Sequence, residues 1–573
     1  MDANMNAFVD CDSGSIGELI AYLAPEVADR GWTGWPPDAF AVAADLLRQS
    51  GAYVRVIDAD PTLLGPGWPT EARQLGNSWR DALNDAEAEA SPPEDDLGAS
   101  DTKAWARFAG RMPPPTPIAD LWATIRSGAQ TLLSELIRDA NRGTLAALIK
   151  LCGIADEACA GIGIEKIRGS SLLAVAEPLV TMSGSLCIEI SVEKLAVLPK
   201  KHTPQCGLTI RSMSHHLALR PANGLHAQWI PPYEMPKPAG PLEEVMNLLL
   251  LPWPTEIDPA TNFEVVNPSP VTLPSTFGLF RYRREVSDSA GNEFAKRFEA
   301  VMDLAARRVG TVHGIVLPEL ALTVEEYLEA ERVAMDRGAF LIAGVSEPSG
   351  NGGSRRLTNA SYTQIAGLAD TPVLADQMRL KQHKHHRWCL DRQQVLQYGL
   401  GARLPAGRAL WEDTPVAKRE IAFLNPSRWL TLSVLICEDL ARQDPTAETI
   451  RAVGPNLVIA LLMDAPQLRD RWPARYASIL AEDPGCSVLT LTSRGMSRLS
   501  SPKDEAAEDK SDVLALWRDA PHGQREVRIP EGCPGCVLSL AVDEGREYTA
   551  DGRLGSRPAH YPVFAGVSLL PDG

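Results

Sequence analysis

Three stretches of this chain place a potentially catalytic side chain at the predicted end of a strand. "GIVLPELAL" places Glu319 directly after an apolar run, "MRLKQHKHHRW" contains Lys381 and Lys384, and "VLICEDLAR" ends an apolar run at Cys437. A carboxylate, an ammonium and a thiol are the groups that acyl transfer through a thioester requires. The carboxylate takes the thiol proton, the thiolate attacks a carbonyl or nitrile carbon, and the cation neutralises the developing oxyanion.

The elements that must position these groups alternate between strands and helices after residue 243. Buried-strand patterns occur in "VMNLLLLPWP", "GLFRYRREV", "FLIAGVSE", "WLTLSVLIC", "PNLVIALLM" and "CSVLTLTS". "NEFAKRFEAVMDLAARRV" has a helical stripe, and Thr323 and Glu326 have the spacing of a capping box in a helix that Gly338 ends. This alternation predicts an α/β layered core with sites at the carboxyl ends of strands. We expect a helix that begins after Cys437 to lower the pKa of its thiol.

The contexts of these residues resemble the nitrilase, or carbon–nitrogen hydrolase, superfamily. "LPELAL" resembles the family's proline–glutamate strand end, "LIAGVSEP" and "LTNASYTQIAG" resemble the strand and the Asn-containing hairpin that follow, and "LSVLICEDLAR" resembles its cysteine elbow. The resemblance covers residues 243–573. It implies an α/β fold with a four-layer α-β-β-α sandwich that hydrolyses amides or nitriles. Such proteins often pair as homodimers through this domain, and they usually need no metal or organic cofactor.

The resemblance also implies roles for the three groups. Cys437 is the nucleophile, Glu319 is the general base and later the acid, and Lys384 stabilises the oxyanion. The family pattern of a lysine with a histidine two positions later fits both Lys381 and Lys384. Strand parity favours Lys384 over Lys381. The residues on the favoured face are Met378, Leu380, Gln382 and Lys384.

Further residues near these motifs are expected to contribute to the site. We expect Glu438, His386 and Lys381 to contact the substrate. Many relatives carry a second glutamate between the lysine and the cysteine, and Glu412 and Glu420 both lie in that interval. "CED" resembles the glutaminase domain of glutamine-dependent NAD synthetases, which favours amide over nitrile substrates.

The chain before this region predicts a mixed, mainly helical N-terminal half that carries no chemical signature. We divide it into residues 1–90 and 103–240, with an acidic linker at 91–101 and a Pro-rich connector at 222–241. "GELIAYLAPEVADRG", "DAFAVAADLLRQSG" and "GTLAALIKLCGIADEA" have helical spacing. "AYVRVIDADP" predicts a short strand, and "SLCIEISVEKLAVL" and "LTIRSMSHHLALRP" alternate as strands do.

Composition limits the class of protein. The chain has 573 residues, 45% hydrophobic and 23% charged, and its net charge of −17 argues against non-specific binding to nucleic acid. No apolar run approaches the ~20 residues that span a bilayer, and the N-terminus has no secretory pattern. Ten scattered cysteines do not suggest a disulfide framework. The sequence therefore predicts a cytoplasmic protein that acts on a small molecule.

Several motifs have simpler interpretations. "CPGC" at 533–536 makes a good turn and lacks the second pair that a zinc site needs, and "HKHHRW" has no carboxylate at ligand spacing, so we predict no metal site. Trp429 and Trp472 could line a substrate pocket, but core packing is the default for tryptophan. Two alternatives to a hydrolase stay open: a nitrilase-like binding or regulatory module, and a soluble acyltransferase.

Overall fold

The computed structural model forms two compact units, each described here by itself. It describes residues 14–58, 62–90, 99–164, 171–201, 207–230, 245–266, 273–284, 290–349, 356–365, 379–416, 418–501 and 510–571. The first unit is Met1–Pro232, Glu448–Pro455 and Glu544–Ala559, and the second is Tyr233–Ala447, Asn456–Asp543 and His560–Gly573. The two predicted N-terminal regions therefore fall in one unit up to Pro232. Most of the predicted linker, part of the connector and Met378 lie outside the described residues.

The first unit is mainly helical, as the sequence predicted. Its helices are α1 (Ile16–Leu23), α2 (Pro25–Arg30), α3 (Pro36–Ser50), α4 (Trp68–Ala90), α5 (Ala99–Arg111), α6 (Thr116–Ser127), α7 (Arg142–Ala158) and α8 (Ser171–Ser183), with a further short helix at Glu448–Val453. Its strands are β1 (Leu195–Pro199), β2 (Leu217–Pro221) and β3 (His226–Ile230). β1 and β2 pair as an antiparallel ribbon. None of the described helices is both long enough and apolar enough to cross a bilayer.

The strand predicted in "AYVRVIDADP" is wrong. Ala52–Ile57 form a 3₁₀ helix instead. Gly51, with φ of 65°, turns the chain just before this segment, and the Arg55 guanidinium donates to the Ile137 carbonyl at 2.6 Å. The segment is therefore held by a side-chain contact to a neighbouring loop, and its apolar alternation does not lead to strand pairing.

The second unit contains the strands and helices that position the predicted site. Its strands are β4 (Val245–Leu250), β5 (Phe263–Val266), β6 (Phe277–Tyr282), β7 (Gly314–Val316), β8 (Leu322–Thr323), β9 (Phe340–Ser349), β10 (Arg356–Gln364), β11 (Leu380–His383), β12 (Cys389–Leu390), β13 (Ala409–Glu412), β14 (Glu420–Ser427), β15 (Leu430–Ile436), β16 (Leu457–Leu462), β17 (Ser487–Thr492), β18 (Val513–Asp519), β19 (Gly523–Arg528), β20 (Gly535–Gly545) and β21 (Ala559–Leu570). Its helices are α9 (Pro259–Asn262), α10 (Ala290–Val309), α11 (Val324–Asp336), α12 (Arg392–Gln397), α13 (Trp472–Glu482) and α14 (Arg494–Ser500).

Two large sheets face each other and carry helices on their outer faces. The Glu319 sheet has the order β11-β10-β9-β7-β4-β20-β21, and the Cys437 sheet runs β14-β15-β16-β17-β18-β19. α10 and α11 pack on the first through Phe298, Met302 and Tyr327, and α13 packs on the second against β17 and β18. The side-chain amide of Gln382 donates to the Val434 carbonyl at 2.8 Å, and this hydrogen bond joins the inner faces of the two sheets. The four-layer α-β-β-α sandwich is thus confirmed.

Parallel pairing at the centre of each sheet explains where the predicted residues lie. β4, β7 and β9 run parallel, as do β15, β16 and β17. Glu319 follows the end of β7, and Cys437 directly follows β15. The capping box at α11 is present as predicted, because Thr323 accepts from the Glu326 amide and Glu326 accepts from the Thr323 amide.

A third, small sheet (β12-β13-β6-β5) is built partly from residues 385–428, which the sequence patterns did not interpret. β13 pairs parallel to β6, so that Glu412 stands opposite Phe280. An apolar cluster under this sheet joins the insertion to the main sandwich. Its members include Phe280, Leu320, Trp388, Leu390, Tyr398, Leu410 and Met463.

Gly344 on β9 offers a direct test of how the Glu319 turn is packed. A Cβ at this position would lie 2.4 Å from the Pro318 oxygen and 2.5 Å from the Glu319 Cα, both backbone atoms. We expect Gly344→Ala to lower the free energy of unfolding by about 1–3 kcal/mol, because backbone cannot move aside as a side chain can. Urea denaturation measures this loss. Gly407→Ala is the control, since a Cβ there meets no atom within 4 Å; equal midpoints for the two variants would contradict the packing argument.

Candidate active site

Glu319 is held in a turn with strained backbone. The Leu317 amide donates to the Ile342 carbonyl at 2.9 Å, and the Gly344 amide donates to the Pro318 carbonyl at 3.1 Å, so β9 fixes both sides of the turn. The next residue, Leu320, has φ of 52°. A left-handed conformation costs a non-glycine residue about 1–2 kcal/mol. The turn thereby directs the Glu319 carboxylate into the interior, where the residue is 2% exposed.

Lys384 lies one residue beyond β11 and meets Glu319 in a buried ion pair. Its Nζ is 2.7 Å from Glu319 Oε1 and 2.7 Å from Glu412 Oε2. Burial by itself lowers the pKa of Lys384, but the Glu319 and Glu412 carboxylates outweigh it and raise that pKa well above its usual value. The two carboxylates therefore favour the charged form of the ammonium.

The alternative lysine, Lys381, is not part of this cluster. It forms an ion pair with Glu347 and lies over the Tyr362 ring at 5.5 Å from the centroid. Gln382, its neighbour, faces the Cys437 sheet, so alternation along β11 turns Lys381 to the opposite face. Strand parity thus selected the lysine that contacts Glu319. The expected contact of Lys381 with substrate stays a prediction.

Asn359 and Glu412 complete the cluster; from the sequence, Glu412 and Glu420 both stayed open as the second glutamate, and Asn359 was given no role. Asn359 Nδ2 donates to Glu319 Oε1 at 2.7 Å and to Glu412 Oε1 at 2.9 Å. The Trp388 amide donates to Glu412 Oε2 at 3.1 Å. Of the two glutamates in the interval before the cysteine, Glu412 contacts Lys384, whereas Glu420 lies 3.4 Å from His383. The signal for Glu412 was its place at the end of the short strand "ALWE".

Glu319 keeps one oxygen free of partners. Oε1 accepts from Lys384 and Asn359, while Oε2 is buried and has no hydrogen-bond partner within the described residues. Burial raises the pKa of Glu319 above its usual value, Lys384 opposes that shift and Glu412 adds to it. A buried oxygen with an elevated pKa is suited to accept a proton from a substrate or a neighbouring thiol.

Cys437 occupies the turn at the end of β15. Its φ is 47°, its exposure is 4%, and it begins a short 3₁₀ helix at Cys437–Ala441. Burial raises the pKa of the Cys437 thiol well above its usual value; the Glu319 charge raises it further, and Lys384 acts in the opposite direction. The expectation that a helix would lower this pKa is wrong. One turn of 3₁₀ helix offers little dipole, and the desolvation of the thiolate is the larger effect.

Asp439 connects the lysine segment to the cysteine segment. Its buried carboxylate accepts from the His385 amide at 3.1 Å, from the His386 amide at 3.0 Å, and contacts His386 Nδ1 at 3.0 Å. One side chain two residues after Cys437 thus holds the chain directly after Lys384. Its neighbour Glu438, expected to contact substrate, forms an ion pair with Arg442 at 2.7 Å. Expected substrate contacts by Glu438 and His386 stay predictions.

Trp429, one of the aromatic candidates, lies at the other end of β15. It precedes Leu430, and β15 runs from there to Ile436 before Cys437 follows. At about 3.3 Å per residue this places Trp429 roughly 26 Å from the cysteine. Trp472 opens α13 and packs against Tyr476, with ring centroids 6.2 Å apart.

Among the described residues of the first unit, one cluster of side chains is close enough together to hold a metal ion. Oxygen and nitrogen atoms of Asp156, Glu157 and His216 lie within 4.8 Å of one another. Arg553 Nη1 is 3.0 Å from both carboxylates, and the Asp156 carboxylate also accepts backbone amides from the His215–Leu217 segment. A guanidinium therefore already supplies the positive charge that a metal ion would bring.

Comparisons with known proteins give matches among solved structures alone. No family model matches the chain, and no curated protein does. A cysteine-to-serine mutant of Nesterenkonia AN1 amidase is 13% identical, covering 51% of this chain and 90% of its own, with a TM-score of 0.30. A CN-hydrolase superfamily protein from Xanthomonas campestris is 14% identical over 52% and 90%, with a TM-score of 0.29. Saccharomyces cerevisiae Nit3 is 10% identical over 52% and 90%, with a TM-score of 0.32.

The matched structures are nitrilase-superfamily proteins. They cover about half of this chain, and their superfamily is the one that the sequence motifs resemble.

Replacing Lys384 tests the buried ion pair. We expect Lys384→Met to lower the free energy of unfolding by about 3–5 kcal/mol, because two buried carboxylates lose their shared counter-ion. Lys381→Met is the matched control, three residues earlier in the chain; its ion pair is partly exposed and is worth about 0–1 kcal/mol. Urea denaturation of both variants measures the difference. Similar losses would contradict the placement of Lys384 between the carboxylates.

The raised pKa of the Cys437 thiol predicts how fast it reacts in the free protein. Alkylation by iodoacetamide follows the thiolate fraction, so we expect the rate at Cys437 to be still rising at about pH 9, where an ordinary thiol has begun to level off. Mass spectrometry of the Cys437 peptide across a pH series gives this rate. A plateau below neutral pH would instead indicate a lowered thiol pKa and contradict the burial argument.

Proposed function

We propose that the second unit is a cysteine-dependent hydrolase of non-peptide carbon–nitrogen bonds. The observation that carries the proposal is the buried Lys384 ammonium, which lies 2.7 Å from Glu319 Oε1 and whose charge, with that of Glu319, acts on the Cys437 thiol. An acid, a cation and a thiol that influence one another in one interior region match the parts needed for acyl transfer. A core cysteine alone would not require a charged neighbour.

In the proposed reaction one proton passes between Cys437, Glu319 and the leaving nitrogen. Glu319, as carboxylate, takes the thiol proton of Cys437 while the sulfur bonds to the substrate carbonyl carbon. The Lys384 ammonium stabilises the negative charge that develops on the carbonyl oxygen. Glu319 then gives its proton to the departing nitrogen, which leaves as an amine or ammonia and a thioester remains. Water, deprotonated by Glu319, attacks the thioester, the acid is released, and the proton returns to sulfur.

Glu412 and Asn359 act as positioning residues in this scheme. Asn359 donates to both carboxylates, and Glu412 accepts from Lys384 Nζ. These contacts fix the carboxylates and the ammonium relative to one another, and neither residue bonds to Glu319 Oε2. A catalytic base must keep one lone pair directed at the group it deprotonates. The network therefore supports a role for Oε2 as the proton-accepting atom.

Amides are the substrates that we favour over nitriles. The amide nitrogen needs a proton to leave, and a raised pKa helps the Glu319 carboxyl to hold the proton that it then donates. The resemblance of "CED" to glutaminase domains points the same way. The matched Nesterenkonia AN1 protein is itself named an amidase. We expect a small-molecule substrate, a homodimer through the second unit and a cytoplasmic location.

Two other functions use the same residues differently. A soluble acyltransferase would pass the acyl group from Cys437 to an amine or alcohol instead of water. A binding or regulatory module would recognise a small molecule without turnover. Because burial keeps the thiol protonated, slow alkylation does not separate a module from an enzyme, and trapping of the acyl intermediate is the better measurement.

The test is ammonia release from a panel of primary amides and nitriles, with intact mass spectrometry of the protein during turnover. We expect amides to release ammonia and to leave an acyl adduct on Cys437 during turnover. When hydroxylamine replaces water, the product should be a hydroxamate. Cys437→Ala should lose activity by at least about 10³-fold, as loss of a nucleophile does. Glu319→Gln should lose both the adduct and the turnover.

Cys486→Ala is the matched control, since Cys486 is a buried cysteine outside this cluster. It should keep the wild-type rate. Full turnover by Cys437→Ala on an amide that the wild type hydrolyses would reject the proposal. An adduct that reacts with amines but never with water would favour the acyltransferase, and no adduct with any compound of the panel would favour the module.

A further inference from the structure

A separate cavity of about 220 Å³ lies in the second unit between α10, the start of α14 and the turn that precedes β20. We call it the arginine-rimmed cavity. Its lining residues are Leu251, Trp253, Thr255, Phe294, Arg297, Phe298, Val301, Leu317, Arg494, Arg498, Glu531, Gly532, Cys533 and Pro534. None of these belongs to the Glu319–Lys384–Cys437 cluster.

The inner part of the cavity is apolar and aromatic. Leu317 and Phe298 are buried, and the Trp253 and Phe294 rings pack with centroids 5.5 Å apart. The indole Nε1 of Trp253 is buried without a hydrogen-bond partner in the part of the chain that the structure describes. An unpaired buried N–H is costly, and a ligand or a water molecule can relieve that cost. The inner wall therefore suits an apolar body that carries an acceptor.

The outer part of the cavity is positively charged, although the whole chain carries −17. Three arginines line the cavity against one acid; Arg494 is buried, whereas Arg297 and Arg498 are exposed. Arg494 is already occupied, since it pairs with Asp512 at 2.9 Å and donates to three carbonyls of the turn beside it. Arg297 lies over the Trp253 ring, with 5.2 Å to the centroid. The guanidinium groups left for a ligand are thus those of Arg297 and Arg498.

The Glu531 carboxylate indicates where the anionic group of a ligand would bind. It pairs with Arg498 at 2.9 Å, and its side chain is 82% exposed. An exposed ion pair of this kind is weak because water competes for both partners. A carboxylate whose apolar body fills the cavity would replace Glu531 on Arg498 and gain the burial that Glu531 lacks.

We propose that the arginine-rimmed cavity binds a small carboxylate with an aromatic or branched apolar body. A cavity of about 150 Å³ is known to hold benzene, so about 220 Å³ accommodates one ring and a short acidic substituent. The apolar body packs against Phe298 and Trp253, and the carboxylate meets Arg297 and Arg498 at the rim. The proposal for this site does not depend on the proposed hydrolase function.

Titration calorimetry on the full chain tests the proposal with phenylacetate, and 2-phenylethanol serves as the neutral probe of similar shape. We expect phenylacetate to bind at least about tenfold more tightly than 2-phenylethanol, because only the acid can pair with arginine. Arg297→Gln and Arg498→Gln should each weaken phenylacetate binding by a similar factor. Glu531→Gln should strengthen it, since it removes the competing carboxylate.

Two controls locate the binding. Arg307→Gln changes an exposed arginine of the same helix α10 that does not line the cavity, and it should leave the affinity unchanged. Cys533 lines the cavity and Cys389 does not, and both are partly exposed. Phenylacetate should slow alkylation of Cys533 and leave that of Cys389 unaltered. The proposal is overturned by equal binding of acid and alcohol, by no saturable binding at millimolar concentration, or by wild-type affinity in both Arg297→Gln and Arg498→Gln.

Discussion

The site depends on one buried ammonium held between two carboxylates. Removing such ions from water costs several kcal/mol for each, and this cost is recovered only when the partners are close and fully hydrogen-bonded. Lys384 meets that condition at 2.7 Å from both Glu319 and Glu412, with Asn359 bonded to the same pair. Because these residues come from separate strands, the ion cluster requires the Glu319 sheet and the small sheet to be correctly placed before it forms.

The cluster leaves the thiol in an unusual electrostatic position. With Glu319 and Glu412 ionised and Lys384 protonated, the formal charge beside a neutral Cys437 is −1. Burial is the main reason that the pKa values of both Cys437 and Glu319 are raised, and the negative charge of a neighbouring carboxylate adds to each shift. In the proposed reaction the thiol proton moves when the developing oxyanion shares the field of Lys384.

The sequence predicted the parts of the site that follow long, regular elements. Glu319 and Cys437 follow strongly apolar strands that lie at the centres of the two facing sheets, and strand parity distinguished Lys384 from Lys381. Glu412 could not be chosen over Glu420 in this way. It ends a four-residue strand, β13, whose partner β6 lies more than a hundred residues earlier, so its place depends on long-range pairing that local patterns do not carry.

Backbone strain surrounds the proposed nucleophile and base. Among the described residues, the non-glycine residues with positive φ are Leu320, which directly follows the proposed base, and Cys437, which is the proposed nucleophile itself. A glycine at either position would relax the backbone and stabilise the fold, but at residue 437 it would also remove the thiol. Stability and the proposed chemistry therefore place opposite demands on this one position.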